Sequence, residues 1–241
     1  MFLLRVLFLV LYFVLTIVPA TVAAILLWPL PYRLRFGIAR AWSRGMLWAG
    51  RLICGLEWVV EGGENLPADP SVIYIKHSSV FEAYAQVGVF PPHTWVVKEE
   101  LRWAPVIGWA ASSMKCIAID RRSGGNAVKQ VIRQGKERLA EGISVTIFPE
   151  GTRMPPGETH RYGISGAALA REAGCLIVPV AHNARDFFPR SGLPDRPGQI
   201  RICIGPPVDP STQDPKDTNK IAQTWIEAKM AEISEGYRNS G

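Results

Sequence analysis

Ser71-Val72-Ile73-Tyr74-Ile75-Lys76-His77-Ser78-Ser79-Val80-Phe81-Glu82 holds the transition that decides the fold. Residues 71–76 are rich in β-branched and aromatic side chains and read as a buried strand. The polar His77-Ser78-Ser79 breaks the run, and a helical pattern over about 80–89 follows, so 71–82 is a strand-to-helix junction. The same alternation continues outward. Further strands are expected at 94–98, 116–119, 144–148, 176–181 and 200–204, and helices at 126–141, 164–173 and 217–236. Short apolar strands alternating with helices predict an α/β domain whose sheet is largely covered on both faces. Residues 154–157 and 189–198 read as surface loops, and 205–215 as a linker to the last helix.

The chain has 241 residues, 48% of them hydrophobic, enough for one sizeable core and an appendage but not for a large multidomain assembly. A net charge of +6 suits anionic headgroups, phosphorylated substrates or nucleic acid. The basic residues are spread along the chain, which argues against nucleic acid as a partner. Cys54, Cys116, Cys175 and Cys203 stand far apart with no C-x-x-C pair, and His77, His93, His160 and His182 have unrelated spacings. Neither a zinc site nor a disulfide framework is expected, and a reducing compartment is.

From Val6 to Tyr32 there is no charged residue. That is longer than the roughly 20 apolar residues a spanning helix needs. A signal peptide is the competing reading, with Arg5 as its basic start and Val22-Ala23-Ala24 as its cleavage site. The apolar run continues past that point to Leu30, which favours a retained anchor, and Pro19, Pro29 and Pro31 should kink or end it. In 34–60, Arg35, Arg40, Arg44 and Arg51 interleave with Phe36, Trp42, Met46, Trp48 and Leu52. This amphipathic pattern fits a helix in the headgroup plane or one packed on the globular domain. The arginines following the apolar run outnumber the lone Arg5 before it, which places the remainder in the cytosol. The expected division is 1–58 as anchor and basic amphipathic helix and 59–241 as the α/β domain.

Two strand ends carry candidate chemistry. His77 and Glu82 are five residues apart, about 140° on a continuous helix, so they meet only if His77 lies in the turn before the helix. An imidazole oriented by a carboxylate can take a proton from a hydroxyl. The same residues also fit a capping box, with Ser79 as N-cap and Glu82 satisfying a backbone donor. Phe148-Pro149-Glu150-Gly151-Thr152-Arg153 follows a second strand, where loops of α/β sheets gather around ligands; the alternative is a tight turn with a solvated ion pair. Arg153 suits a phosphate, and Gly151 permits close backbone approach. Trp103, Pro105, Val106, Ile107, Trp109 and Ala110 suggest a channel for an apolar ligand, a membrane-dipping element or ordinary core, and residues 182–189 follow a strand end where they could rim a site.

Together these segments resemble the glycerophosphate acyltransferase superfamily, in particular its bacterial 1-acyl-glycerol-3-phosphate acyltransferases, from about Val60 to Pro207. His77 to Glu82 looks like the His-x4-Asp block, Ile119-Asp120-Arg121 like the second block, Phe148 to Arg153 like the Phe-Pro-Glu-Gly-Thr-Arg block, and Val178-Pro179-Val180 like the fourth. The resemblance implies a mixed sheet flanked by helices. It also implies direct transfer of an acyl group from acyl-CoA or acyl carrier protein to lysophosphatidate in contact with membrane lipid, with no cofactor and no metal. In that reading His77 is the general base and Glu82 orients it; Arg121 and Arg153 hold the acceptor phosphate, Glu150, Gly151 and Thr152 shape that pocket, and Lys98 joins them. Glu82 departs from the usual Asp, and Arg161 stands near where many relatives carry a Phe-Lys-x-Gly sequence. Other lysolipid acceptors, such as lyso-ornithine lipid, and a non-catalytic lipid-binding protein are the remaining alternatives. A serine hydrolase lacks its G-x-S-x-G, and a nucleotide enzyme its glycine-rich phosphate loop.

Overall fold

The structure, a computed structural model, describes residues 1–104, 107–189 and 191–239, and leaves the side chains of Ile107 and Arg121 outside that description. In chain order the elements are α1 (Phe2–Leu26), α2 (Tyr32–Cys54), β1 (Leu56–Glu61), β2 (Val72–Ile75), α3 (Phe81–Val89), β3 (His93–Lys98), α4 (Ile107–Ser113), β4 (Ile117–Ile119), α5 (Gly125–Ala140), β5 (Ser144–Ile147), α6 (Ser165–Ala173), β6 (Ile177–His182), β7 (Gly198–Ile204), α7 (Pro215–Ile233) and α8 (Glu235–Arg238).

The strands form one mixed sheet in the order β1-β7-β6-β2-β5-β3-β4. All neighbours are parallel except β6 and β7, which run antiparallel. The central strands are buried on both faces, as their continuous apolar sequences require. Ile73 and Ile75 of β2 face a core shared with α1, α2 and α3, including Met46, Leu47, Phe81 and Ala85. Val72 and Tyr74 face the opposite core, with Val131 of α5, Leu169 of α6 and Ile226 of α7. The expected α/β architecture of a mixed sheet between helices is therefore present.

Three expectations need correction. The helix expected across 34–60 stops at Cys54, where Gly55 takes a left-handed conformation (φ 68°) and donates to the Arg51 carbonyl. Leu56–Glu61 then pairs along β7 as an edge strand, so the division expected at residue 58 falls within β1. α1 runs through Pro19 to Leu26 and stops before Pro29 and Pro31, as expected of those two prolines. Ser79 does not occupy the cap position of α3: the helix begins at Phe81 with Val80 at the cap, although the Ser79 hydroxyl still accepts from the Phe81 N–H at 3.1 Å.

The 25 residues of α1 have a mean hydropathy of 2.5, and only 11% of the most apolar window is buried. At about 1.5 Å per residue the helix is long enough to cross a bilayer core of roughly 30 Å. It is also packed on the rest of the chain. Val6 and Leu9 join the core with α2, the Trp42 Nε1–H donates to Thr16 Oγ1 at 3.1 Å, and the Ser113 hydroxyl donates to the Ala24 carbonyl at 2.6 Å. α2 packs on the rest of the chain along one face and leaves apolar side chains exposed along another. Phe36, Met46 and Leu47 are buried, and Arg35 donates to the Ser113 carbonyl at 2.6 Å, while Leu34, Trp48 and Leu52 are exposed.

Candidate active site

The parallel alignment of β6, β2 and β5 brings three loops to one edge of the sheet. Tyr74 lies opposite Ile147 and Ile75 opposite Val180, so the strands end almost level. His77, the segment Phe148–Arg153 and His182 leave the carboxyl ends of those neighbours together.

His77 occupies the turn before α3, as a meeting with Glu82 requires. Its Nδ1 lies 2.8 Å from Glu82 Oε1, and its ring stacks on Phe148 at 4.3 Å between centroids. Glu82 is buried and also accepts from the Ser78 N–H at 3.0 Å and the Ser79 N–H at 2.8 Å. One carboxylate thus both satisfies backbone donors before the helix and meets His77 Nδ1. Acceptor-only oxygens facing Nδ1 fix a proton there and leave the Nε2 lone pair as the basic position. Nε2 has no hydrogen bond among the described residues.

The sequence does not mark Lys76 or Glu227, whereas His182 opens the 182–189 segment that could rim a site. The Lys76 side chain is fully buried, with Nζ 2.6 Å from Glu150 Oε1 and 2.8 Å from Glu227 Oε1 of α7, and it donates to the Glu158 carbonyl at 3.0 Å. Glu150 Oε2 in turn accepts the His77 N–H at 2.8 Å. Burial raises the Glu150 carboxyl above its usual range, and the Lys76 ammonium opposes that shift. A lysine ending an apolar strand was the signal available, because a buried cation demands carboxylate partners. His182 Nε2 lies 2.9 Å from the Lys76 carbonyl and 3.4 Å from Glu82 Oε2, while Nδ1 accepts from the Ala184 N–H at 3.4 Å. Burial lowers its pKa, and a neutral ring with its proton on Nε2 satisfies these contacts.

The expected site residues therefore separate into groups. Glu150 faces inward, and its carboxylate is committed to Lys76 and the His77 backbone. Gly151 has φ 74°, which favours glycine, and with Thr152 and Arg153 it is exposed at the rim. Lys98 is exposed at the end of β3, paired opposite Ile119, two residues before Arg121. The Arg121 side chain lies outside the described residues, as do Pro105, Val106 and the side chain of Ile107. Trp103 and Trp109 are exposed by 84% and 57%, so they are not core. Arg161 is exposed.

Two depressions meet at Thr152. A cleft of about 480 Å³ includes Ser79, Val80, Thr152, Arg153, Arg185 and Pro189. A groove of about 410 Å³, walled largely by apolar Val96, Ile119, Val131, Ile147 and Phe148, lies on the other side of the loop. Among the described residues no group of three or more His, Cys, Asp or Glu side chains could hold a metal ion. A base beside a basic cleft and an apolar groove can deprotonate a hydroxyl on a molecule that is anionic at one end and hydrocarbon at the other.

A family model described as acyltransferase matches residues 57–183, which hold the strands and loops of this site. The 1-acyl-sn-glycerol-3-phosphate acyltransferase of Pseudomonas aeruginosa is 40% identical over 209 residues, 85% of this chain and 81% of its own. The chain belongs to the acyltransferase family. Human 1-acyl-sn-glycerol-3-phosphate acyltransferase alpha is more distant, 28% identical over 204 residues, 82% of this chain and 72% of its own. The fold of this acyltransferase matches the crystal structure of the 1-acyl-sn-glycerophosphate (LPA) acyltransferase PlsC from Thermotoga maritima with a TM-score of 0.78. That match covers 96% of this chain and 97% of the other at 22% identity.

Proposed function

We propose that this acyltransferase esterifies the sn-2 hydroxyl of 1-acylglycerol 3-phosphate with a fatty acyl group from acyl-CoA or acyl carrier protein, forming phosphatidate for phospholipid synthesis. The observation that carries the reading is the His77–Glu82 pair, 2.8 Å apart, with the His77 ring stacked on Phe148 of the apolar groove and the His77 carbonyl accepting from the N–H of Met154 in the basic cleft. Its chemistry agrees with the names of the relatives.

In this mechanism His77 Nε2 takes the acceptor's hydroxyl proton as the oxygen attacks the thioester carbonyl. Glu82 stabilises the imidazolium that forms. The tetrahedral intermediate collapses by breaking the C–S bond, and the imidazolium returns the proton to the departing sulfur. The new C–O bond replaces the C–S bond, with no acyl-enzyme and no metal or organic cofactor. Arg153, joined by Arg121 and Lys98, binds the acceptor phosphate, and Gly151 and Thr152 shape that rim. The Lys76–Glu150 pair holds the backbone of the base. The apolar groove suits acyl chain, and α1 with the exposed Trp48, Leu52, Trp103 and Trp109 suits the membrane in which both lipids reside. The excess of arginines after α1 favours the cytoplasmic face of the inner membrane.

The test is transfer of labelled acyl groups to lysophosphatidate in membranes carrying equal amounts of wild-type or His77→Ala protein. Loss of the base should lower turnover by about 10²–10⁴-fold. A wild-type chain that forms no phosphatidate from either acyl-CoA or acyl carrier protein would reject the assignment.

A further inference from the structure

Among the described residues, the cleft beside His77 is lined by two guanidinium groups and no carboxylate. Arg153 comes from the loop after β5, and Arg185 from the single 3-10 turn Ala184–Asp186 after β6. Among the described residues neither side chain has a hydrogen bond or ion pair. The carboxylates close to them along the chain are occupied. Asp186 accepts from the Ser234 hydroxyl at 2.8 Å and from the Glu235 and Gly236 N–H groups at 2.9 and 3.1 Å. Glu150 is held by Lys76 and the His77 N–H, and Glu82, beneath Ser79, by His77 and two backbone donors. The cleft thus has two positive charges that no hydrogen bond or ion pair among the described residues neutralises.

Arg185 is carried on a secured turn. Asn183 Oδ1 accepts from the Arg201 N–H at 2.8 Å, and its Nδ2 donates to the Ile233 carbonyl at 3.3 Å. Phe188, on the other side, is buried against Phe81 of α3. The turn therefore keeps a half-buried arginine at the cleft, three residues after the histidine that approaches Glu82. Uncompensated like charges lining one solvent-filled space are a favourable site for an anion between them, and arginine matches phosphate oxygens with paired N–H donors.

We infer that Arg185 is a second anion contact of this site, which together with Arg153 holds a phosphate group brought by one of the substrates. Either the acceptor's phosphomonoester or a phosphate of the pantetheine-bearing donor has the required chemistry. The inference rests on the acyl-transfer reading above but needs only that the bound molecule carry phosphate.

Steady-state kinetics of the full chain in detergent, for wild type, Arg185→Ala and Arg185→Lys, separate the two sources. Loss of a charge-assisted contact should raise one KM by about tenfold or more while kcat stays within about threefold, and lysine should recover part of the loss. A rise confined to lysophosphatidate assigns the acceptor phosphate, and a rise confined to acyl-CoA assigns the donor. Both KM values within about twofold of wild type in folded Arg185→Ala would overturn the inference. A second readout is independent of turnover: glycerol 3-phosphate or CoA should raise the unfolding midpoint of the wild type more than that of Arg185→Ala. If the wild type makes no phosphatidate, the proposed reaction fails alone. Equal midpoint shifts in both proteins would then overturn the role of Arg185.

Discussion

Lys76 ends a strand of apolar residues with its ammonium fully buried between Glu150 and Glu227. The residue following β2 thereby joins α7 to the loop that holds His77, and Tyr237 of α8 extends the network by donating to Glu227 Oε2 at 3.0 Å. Lys76→Met should remove the ammonium that balances two carboxylates there and cost about 3–5 kcal/mol. Thermal unfolding in detergent should then fall by roughly 6–20 °C; an unchanged midpoint would mean that the pair contributes little. His77 and Glu82 could be picked out from sequence because the strand end and the five-residue spacing are local. Their partners could not. Glu227 is 151 positions from Lys76, and no periodicity reports which distant carboxylate meets a buried cation. Glu150 shows the same limit at one residue: the motif marks it as part of the site, but only packing reveals that its carboxylate is held by Lys76 and the His77 backbone.

Among the elements, the central strands and the helices covering them were legible because burial on both faces leaves continuous β-branched runs, and the helices keep a 3.6-residue stripe. β1 was not. Leu56–Glu61 is a short edge strand bearing two glutamates, and its apolar residues blend into the stripe of the preceding helix. Its partner β7 lies about 140 residues away, although Gly55 before Val59-Val60 was a usable stop signal. The helix on the opposite face makes its own demand. A Cβ on Gly166 of α6 would lie 2.4 Å from the Tyr74 ring, which is buried and anchored by its hydroxyl donating to Asn219 Oδ1 at 2.8 Å. Gly166→Ala should therefore destabilise by about 1–3 kcal/mol despite its better helix propensity. Denaturant titration checks this, and a neutral or stabilising substitution would show that α6 can move off the sheet.

At the scale of the molecule, the apolar hairpin and the α/β domain are fastened together at His93. Phe36 of α2 packs edge-on against its ring at 5.2 Å, the Tyr32 hydroxyl donates to its carbonyl at 2.6 Å, and its Nδ1–H donates to the Pro91 carbonyl at 2.8 Å. Burial pushes the imidazole from 6.5 down to about 4, with Arg40 adding to the shift. The unfolded chain therefore binds a proton between pH 6.5 and 4 that the folded chain refuses. This contribution to stability is complete above the unfolded value and is lost as pH falls through that window, to a limit of about 3 kcal/mol. His93→Asn keeps a donor for Pro91 and cannot titrate, so its unfolding midpoint should fall less than that of wild type between pH 7 and pH 5; parallel losses would refute the assignment. By itself the sequence determined the α/β class, the apolar first helix and the positions of His77, Glu82 and Phe148–Arg153, because strand and helix periods, hydropathy and motif spacing are properties of neighbouring residues. Tertiary structure alone decided the order β1-β7-β6-β2-β5-β3-β4, the antiparallel β7, the inward turn of Glu150 and the meeting of Arg153 with Arg185. Those depend on which distant strands pair and on where burial forces charges to find partners, and neither is written in any local stretch of the chain.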